Sequence, residues 1–257
     1  MPMARRTPTG RPAALPTAGK SPSRVPKVSQ VRVLVAGGTG LVGQALLSQL
    51  VADPRCRSVT ALVRKAAQRQ GLPRGVTAQV VDYSTLGQPG APALPAADWA
   101  FCCLGTTIKA AGSQAAFRAT DFDAVLAFAR AAQAAGVSRL GVVSAMGANP
   151  RSSVFYNRVK GEAEQALTGL GLQHLVLARP SLLLGDRTAL GQPARTGDRV
   201  AQALMPALGW LIPRKLRPIQ GSAVAAALRL ALLNPTPGPT VLESDALAKL
   251  ANDWPVT

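Results

Sequence analysis

The stretch VRVLVAGGTGLVG, residues 31–43, constrains the fold more than any other part of the sequence. Its first six residues are mostly apolar, with valine at every second position, and glycine follows them, which is typical of a buried strand. Gly37, Gly40 and Gly43 then recur at intervals of three, and a leucine-rich helical pattern begins at Leu41. Strand, glycine turn and helix in this order predict a loop that binds the pyrophosphate of a dinucleotide.

Each glycine of this loop has a separate physical role in such a turn. Gly37 permits the tight turn, Gly40 lets the backbone approach a pyrophosphate, and Gly43 lets the helix pack closely on the strand. The free amide groups at the start of the helix, together with the helix dipole, would then hold the phosphates.

The rest of the chain alternates between strand and helix patterns. Strands are predicted at 58–63, 76–81, 98–104, 138–143 and 172–178, and long helices at 113–135 and 152–170. Such alternation predicts an α/β fold with a doubly wound parallel sheet, the Rossmann fold, in one domain over residues 30–257. A small C-terminal lobe over residues 181–257 is predicted to bind substrate, with helices near 194–208 and 222–233 and a strand at 240–243.

Residues 1–29 differ in composition from the rest. They are rich in proline, serine, threonine and arginine, contain no acidic residue, and show no apolar periodicity, so we expect a disordered basic tail. A transit peptide is the alternative, although the prolines disfavour a targeting helix. The net charge of +17 favours anionic ligands, but no nucleic-acid-binding motif accompanies it.

The cysteines and the histidine narrow the classes of chemistry. Cys56, Cys102 and Cys103 form no CxxC pair, so we expect neither a zinc site nor a disulfide framework. The expected absence of disulfides is typical of a reducing compartment and predicts a cytoplasmic protein. A single histidine, His174, argues against a Ser-His-Asp triad. No apolar run is long enough to predict a membrane span.

A second motif, YNRVK at residues 156–160, lies on a predicted helix. Tyr156 and Lys160 are four residues apart and so lie on one helix face, where the cation favours the phenolate form of the tyrosine. Such a tyrosine can exchange a proton with a carbonyl or alcohol oxygen during hydride transfer. Ser144 ends the preceding strand, at the sheet edge where ligands bind, and is predicted to orient the same oxygen. The sequence therefore predicts a Ser144-Tyr156-Lys160 active site.

These motifs together make the sequence similar to the short-chain dehydrogenases/reductases. It resembles their atypical branch, and within it the Tat-interacting-protein-like oxidoreductases. The stretches that carry the resemblance run in family order from about residue 31 to 247: AGGTGLVG (36–43), FCCLGTT (101–107), TDFDAV (120–125), VVSAMGA (142–148), YNRVKGEAE (156–164), ARPSLLLGDR (178–187) and VLESDAL (241–247). The resemblance implies NADP(H) as cofactor and supplies no substrate.

The resemblance also implies which residues contact each part of the cofactor. The pyrophosphate would lie against Thr39, Gly40, Leu41 and Val42. The adenosine half would meet Arg64, Lys65, Asp82 and Tyr83. The nicotinamide half would meet Leu104, Gly105, Thr106, Lys160, Pro180 and Ser181, with Lys160 bridging the ribose hydroxyls and Tyr156, and Arg187 would reach a phosphate.

Two departures and one substitution bear on chemistry. The usual Asn-Ala-Gly after the fourth strand is replaced by CLGTT, and no serine follows Ser144, so Ser152 and Ser153 are candidate substitutes. The second strand ends in Arg64 and Lys65 where an NAD-specific site has an acidic residue, which predicts a preference for NADP(H).

Two functions are consistent with the sequence. The first is an NADPH-dependent reductase; the alternative is a non-catalytic NADP(H)-binding regulator that reports redox state to a protein partner. A basic cluster in the C-terminal lobe indicates either a solvated face, an anionic substrate or partner, or peripheral membrane contact near residues 210–212; its members are Arg179, Arg187, Arg195, Arg199, Arg214, Lys215 and Arg217. Asp121 and Asp123 are too few for a metal site.

Overall fold

A computed structural model describes residues 30–185 and 213–253. The predicted tail over 1–29, the helix near 194–208, residues 210–212 and Arg187, Arg195 and Arg199 lie outside these ranges. Within them the chain forms nine strands: β1 Val31–Ala36, β2 Cys56–Val63, β3 Val76–Val80, β4 Trp99–Cys102, β5 Arg139–Val143, β6 His174–Arg179, β7 Leu183–Leu184, β8 Ile219–Gln220 and β9 Gly238–Glu243.

Seven of these strands form one parallel sheet in the order β3-β2-β1-β4-β5-β6-β9, and β7 pairs with β8 separately. The described helices are α1 Leu41–Val51, α2 Ile108–Ala111, α3 Gln114–Arg118, α4 Ala124–Ala134, α5 Phe155–Thr168, α6 Gly221–Leu233 and α7 Ser244–Asn252. The strand order reverses between β1 and β4, and ligands bind at the carboxyl ends beside such a reversal. The predicted Rossmann fold is confirmed.

Helices cover both faces of the sheet because successive side chains of a strand point to opposite sides. In β1, Val33 and Val35 pack with the leucines of α1 and α6. Leu34 and Ala36 face the other way and pack with Phe128 of α4 and its neighbours. The apolar run in β1 is therefore continuous because both faces of the strand are buried.

The predicted long helix over 113–135 forms with an interruption that its sequence pattern does not show. The Ser113 hydroxyl caps the start of α3, and Gly136, with a φ of 95°, ends α4. Between α3 and α4, Ala119–Asp123 forms a π-helical segment. A π turn inserts an extra residue and rotates the helix face, and such turns are frequent at functional sites.

A buried ion-pair network ties the turn after α1 to α6. Asp53 is buried, and its carboxylate accepts hydrogen bonds from Arg55 at 2.7 Å and from Arg229 at 2.6 Å. Burial raises the pKa of Asp53, but the arginine hydrogen bonds outweigh it and lower the pKa from 3.8 to about 2.

This network predicts a pH-dependent contribution to stability. A carboxylate whose pKa is lowered by folding stabilises the fold at every pH above its pKa in the unfolded chain. This contribution is lost as the pH falls toward the folded-state pKa of about 2. The shift of Asp53 corresponds to about 2 kcal/mol. Asp53→Asn should lose about 3 kcal/mol at neutral pH, because Arg229 stays buried beside a neutral group. Urea unfolding between pH 6 and 2.5 should show the gap from wild type closing as the pH falls.

Asp98→Asn is the matched control for this prediction. Asp98 pairs with Arg32 at 3.0 Å on β1, but both side chains are about two-fifths exposed. Solvent screens such a pair, so its loss should cost much less than the loss of Asp53. Equal losses for the two variants would contradict the assigned role of burial.

Candidate active site

The glycine loop packs backbone against backbone. Gly37 has a φ of 76°, and a Cβ there would lie 2.4 Å from the carbonyl group of Cys103. A Cβ on Gly43 would lie 2.2 Å from the carbonyl oxygen of Gly37. On Gly40 the nearest atom would be that same oxygen, at an unstrained 3.4 Å. Gly37 and Gly43 are therefore required by the fold itself, and Gly40 is not.

The start of α1 suits an anion. Its N-cap, Gly40, offers no side-chain hydrogen bond, and the first turn contains no acidic residue. The first four amide groups of a helix have no partner within it, and the helix dipole places positive potential at this end. Leu41 and Val42 are the first two residues of α1. The chain thus fits a bound pyrophosphate at this point.

A cavity of about 770 Å³ opens beside the loop, at the carboxyl ends of β1 to β4. This volume is within the range of small-molecule and cofactor sites. The structure brings together here nine residues predicted to bind the cofactor: Gly37, Thr39, Gly40, Arg64, Asp82, Tyr83, Leu104, Gly105 and Thr106. Sequence reasoning did not identify the rest of the lining, which includes Gln68, Cys103 and an alanine-rich wall formed by Ala110, Ala111, Ala116 and Ala119.

Gln68 shapes the turn that carries Arg64 and Lys65. Its side-chain oxygen accepts the backbone N–H groups of Arg64 at 2.9 Å and Lys65 at 3.0 Å. Lys65 is the N-cap of the short 3₁₀ helix Ala66–Gly71, so Gln68 occupies the third position, as in a capping box. The spacing of three residues between Lys65 and Gln68 is the feature of the sequence from which this contact could have been predicted. Arg64 and Lys65 are exposed, and Arg64 lines the cavity whereas Lys65 does not.

Asp82 and Tyr83 follow β3 and line the same cavity. The exposed Asp82 carboxylate accepts the hydroxyl of Ser84 at 2.7 Å and its backbone N–H at 2.9 Å, and these hydrogen bonds lower the pKa of Asp82. Tyr83 is half-buried, and burial raises the pKa of its phenol. Its hydroxyl has no hydrogen-bond partner among the residues that the structure describes.

Tyr156 and Lys160 lie one turn apart on α5, as predicted from their spacing. Tyr156 is half-buried, with its ring 5.3 Å from that of Phe117 on α3. Lys160 is buried, and its ammonium lies 2.7 Å from the carboxylate of Asp121 in the π segment. Burial lowers the pKa of Lys160, but the charges of Asp121 and Tyr156 outweigh burial, so the pKa lies above its usual value. Lys160 is therefore a charged ammonium at neutral pH.

The loop after β5 is held against the start of α5. A Cβ on Gly161 would lie 2.2 Å from the backbone of Asn149 and Pro150. The backbone N–H of Asn149 donates to the carbonyl oxygen of Asn157 at 3.0 Å. This close approach fixes α5, and with it Tyr156, relative to the end of the sheet.

Ser144 follows β5 as predicted, but its hydroxyl is engaged elsewhere. It donates to Glu164 at 2.5 Å, and Glu164 lies one helical turn beyond Lys160. Glu164 also pairs with Arg179, at 2.5 Å, and Arg179 pairs with Glu243 at 3.2 Å. The structure therefore places the Ser144 hydroxyl in a buried ionic network. Strand position alone could not identify this partner.

Ser181 and Pro180 follow β6. The Ser181 hydroxyl donates to the carbonyl oxygen of Arg217 and lies 3.0 Å from the hydroxyl of Ser244 on α7. The carbonyl oxygen of Pro180 accepts the N–H of Met146 at 3.0 Å. Neither residue lines the cavity beside the glycine loop.

The thiols are poor nucleophiles. Burial raises the pKa of Cys56 to about 11 and that of Cys102 to about 12, and only a thiolate attacks efficiently. All three cysteines are free. Within residues 30–185 and 213–253, no group of histidine, cysteine, aspartate or glutamate is arranged to hold a metal ion. No helix in the same ranges is both long and apolar enough to span a bilayer.

Comparisons with known proteins agree with this geometry. A family model described as NAD(P)H-binding matches residues 37–205. The protein HTATIP2 of Rattus norvegicus is 32% identical over 235 residues, covering 88% of this chain and 92% of its own. The mitochondrial protein fmp52 of Emericella nidulans is 32% identical over 180 residues, covering 69% of this chain and 76% of its own.

One solved structure illustrates the similarity of fold. The Bordetella bronchiseptica enzyme WbmG, in complex with NAD and UDP, superposes with a TM-score of 0.61 at 18% identity, covering 86% of this chain and 75% of WbmG. The expectation of a cytoplasmic protein is wrong by these comparisons, because the FMP52 relatives are named mitochondrial. Reduced cysteines do not distinguish the two compartments, which is why the inference failed.

Proposed function

We propose that this chain, which belongs to the NAD(P)H-binding family as an atypical short-chain dehydrogenase/reductase, is an NADPH-dependent oxidoreductase acting on a carbonyl or alcohol. One observation carries the proposal. Tyr156 lies one helical turn from Lys160, which is buried, charged and ion-paired to Asp121. A buried cation beside a tyrosine stabilises the phenolate, and a proton can then move between the phenol and a substrate oxygen.

The chain's own residues would divide the work as follows. Backbone amides at the start of α1 hold the pyrophosphate, and Gly40 leaves room for it. A bound nicotinamide supplies or accepts the hydride. The Tyr156 hydroxyl donates a proton to the carbonyl oxygen in reduction and takes it back in oxidation. Lys160 stabilises the tyrosine when it has lost its proton.

The preference for NADPH is proposed to depend chiefly on Arg64. This exposed arginine directly follows β2 and lines the cavity. Its guanidinium can form charge-assisted hydrogen bonds to a 2′-phosphate, which NADH lacks. Such a hydrogen bond contributes about 1.5–3 kcal/mol, so Arg64→Ala should weaken NADPH binding by roughly ten- to a hundredfold. Calorimetric titration with both cofactors measures the effect, and NADH affinity should hardly change.

Arg57→Ala is the matched control for Arg64→Ala. Arg57 is an exposed arginine on the same strand, at its amino end, and it does not line the cavity. The Arg57→Ala variant lowers the net charge of the protein by the same amount, but it leaves the charge that lines the cavity in place. An equal loss in both variants would mean that net charge, and not Arg64, attracts NADPH. Equal affinity of the wild type for NADPH and NADH would refute the preference.

The activity itself is tested by a substrate screen. Purified protein is incubated with NADPH and a panel of aldehydes and ketones, and oxidation of NADPH is followed by absorbance. The reverse reaction is screened with the corresponding alcohols and NADP⁺. We expect turnover with at least one compound, and the Tyr156 variant described in the Discussion must lose it.

The second candidate function is a non-catalytic NADP(H)-binding regulator. The observation that favours it is Ser144, whose hydroxyl donates its hydrogen to Glu164 inside a buried ionic network. A regulator would bind NADPH with normal affinity and turn over none of the panel. In that case, affinity for a protein partner should differ between the NADPH-bound and NADP⁺-bound forms, which pull-down at saturating cofactor would reveal.

A further inference from the structure

The buried carboxylate of Asp121 connects the loop after β4 with Lys160 on α5. Residues 104–106, here called the cofactor loop, lie shortly after β4 and line the cavity. The backbone N–H of Thr106 in this loop donates to one oxygen of Asp121 at 2.9 Å. The other oxygen of Asp121 lies 2.7 Å from the Lys160 ammonium. One side chain therefore contacts both the cofactor loop and the lysine of the YxxxK motif.

We propose that Asp121 is a positioning residue that keeps Lys160 charged and holds the cofactor loop against it. The role rests on the function proposed above, in which a charged Lys160 assists Tyr156. Asp121 itself touches neither the reacting atoms nor solvent: its side chain is 0% exposed and that of Lys160 is 6% exposed.

The local structure around Asp121 supports a dedicated role. Asp121 lies in the π-helical segment between α3 and α4, where the extra residue changes the direction of the side chains. Gly105 lies directly over the pair, since a Cβ on Gly105 would lie 3.4 Å from the Asp121 oxygen and 3.6 Å from the Lys160 ammonium. The loop backbone can therefore rest on the ion pair without a side chain between them.

The charges around Lys160 make Asp121 its main partner. Besides Asp121, the titratable groups near Lys160 are Tyr156 on the same helix, Cys102 on β4, and Glu164, which lines a small cavity with it. Cys102 is a neutral thiol because burial raises its pKa to about 12. Glu164 is paired with Arg179 and Ser144. Asp121 is therefore the negative charge that offsets the burial of Lys160.

Removal of this charge should make Lys160 lose its proton at lower pH. In Asp121→Asn the amide oxygen can still accept the Thr106 N–H, but the ammonium stays buried without a counter-charge. Burial alone lowers the pKa of a lysine by up to several units, so the titration midpoint of Lys160 should fall by at least about one pH unit. The alkaline limb of the pH–rate profile should shift to lower pH by the same amount, because only the charged lysine assists the tyrosine.

Lysine NMR measures the titration without any need for activity. The chain contains seven lysines, so a sample labelled at lysine Cε gives few signals, and Lys160→Arg identifies that of Lys160. In the wild type the midpoint of this titration should lie above that of an ordinary lysine. In Asp121→Asn the midpoint should fall by at least about one pH unit. Asp123→Asn is the matched control, because Asp123 is exposed in the same π segment. In this variant Lys160 should titrate as it does in the wild type.

A double variant keeps the test valid if Asp121→Asn folds poorly. Asp121→Asn combined with Lys160→Met leaves no unpaired charge, and it should bind NADPH as Lys160→Met alone does. A further loss in the double variant, or an unchanged Lys160 titration in Asp121→Asn, would overturn the proposal. If the titration shifts but the wild type turns over no substrate, the role of Asp121 stands and the proposed oxidoreductase function fails.

Discussion

Tyr156→Phe is expected to abolish turnover while leaving NADPH affinity within about twofold of the wild type. The variant removes only the hydroxyl, and phenylalanine retains the ring that packs at 5.3 Å from Phe117. Proton transfer by a positioned side chain contributes about 10²–10⁴-fold to rate, so the loss should lie in this range. Steady-state kinetics on a substrate found in the screen, together with a cofactor titration, measure both effects.

Thr168→Val is the matched control for Tyr156→Phe. Thr168 is the last residue of α5, and its hydroxyl donates to the carbonyl oxygen of Glu164 at 2.9 Å. The control removes a hydroxyl from the opposite end of the same helix, so its turnover should equal that of the wild type. If Tyr156→Phe kept full turnover, another group would have to be the proton donor, and the regulator hypothesis would gain support.

Two glycines of the loop are expected to fail in different ways when replaced by alanine. Gly43→Ala brings a Cβ to 2.2 Å from the Gly37 carbonyl oxygen. Both partners are backbone, so α1 must shift away from β1, and such overpacking costs about 1–3 kcal/mol. Gly43→Ala should therefore lower the free energy of unfolding as well as the affinity for NADPH.

Gly40→Ala should leave the fold unchanged and still lose the cofactor. The backbone of Gly40 has φ −84° and ψ 171°, which alanine adopts without strain, and its Cβ would meet only one atom, at 3.4 Å. Gly40 lines the cavity, where the pyrophosphate must approach the backbone. We expect at least roughly a hundredfold weaker NADPH binding, about 3 kcal/mol, with a melting temperature like that of the wild type.

Thermal unfolding and cofactor titration on the same samples separate the two effects. Gly71→Ala serves as the control, because no atom lies within 4 Å of a Cβ at that position. It should be silent in both measurements. Normal NADPH affinity in Gly40→Ala would mean that the pyrophosphate does not cross this loop.

Much of the fold could be predicted from local patterns. The alternating valines of β1 and the spacing of Gly37, Gly40 and Gly43 predicted a strand, a turn and a helix, and all three formed within a residue or two of their expected limits. The doubly wound parallel sheet also followed, since alternating strands and helices have few topologies available to them. The other six predicted strands differ from the observed ones only at their ends.

The site was predictable only in part, because its partners lie far apart in the chain. Nine predicted residues do line one cavity, since the carboxyl ends of parallel strands meet at one edge of the sheet. Arg64 was identified from its place at a strand end, whereas Gln68, which holds the same turn, was missed. No local pattern predicted that the Ser144 hydroxyl would be bonded to Glu164.

The sequence by itself determined the Rossmann fold, the glycine loop and the one-turn spacing of Tyr156 and Lys160, because each is encoded by residues close together in the chain. Only the tertiary structure decided which charge faces Lys160. Asp121 reaches it from 39 positions earlier in the chain, through a π turn that turns its side chain toward α5 and the cofactor loop. Such a contact depends on how two helices are rotated against one sheet, and no short stretch of sequence encodes that rotation.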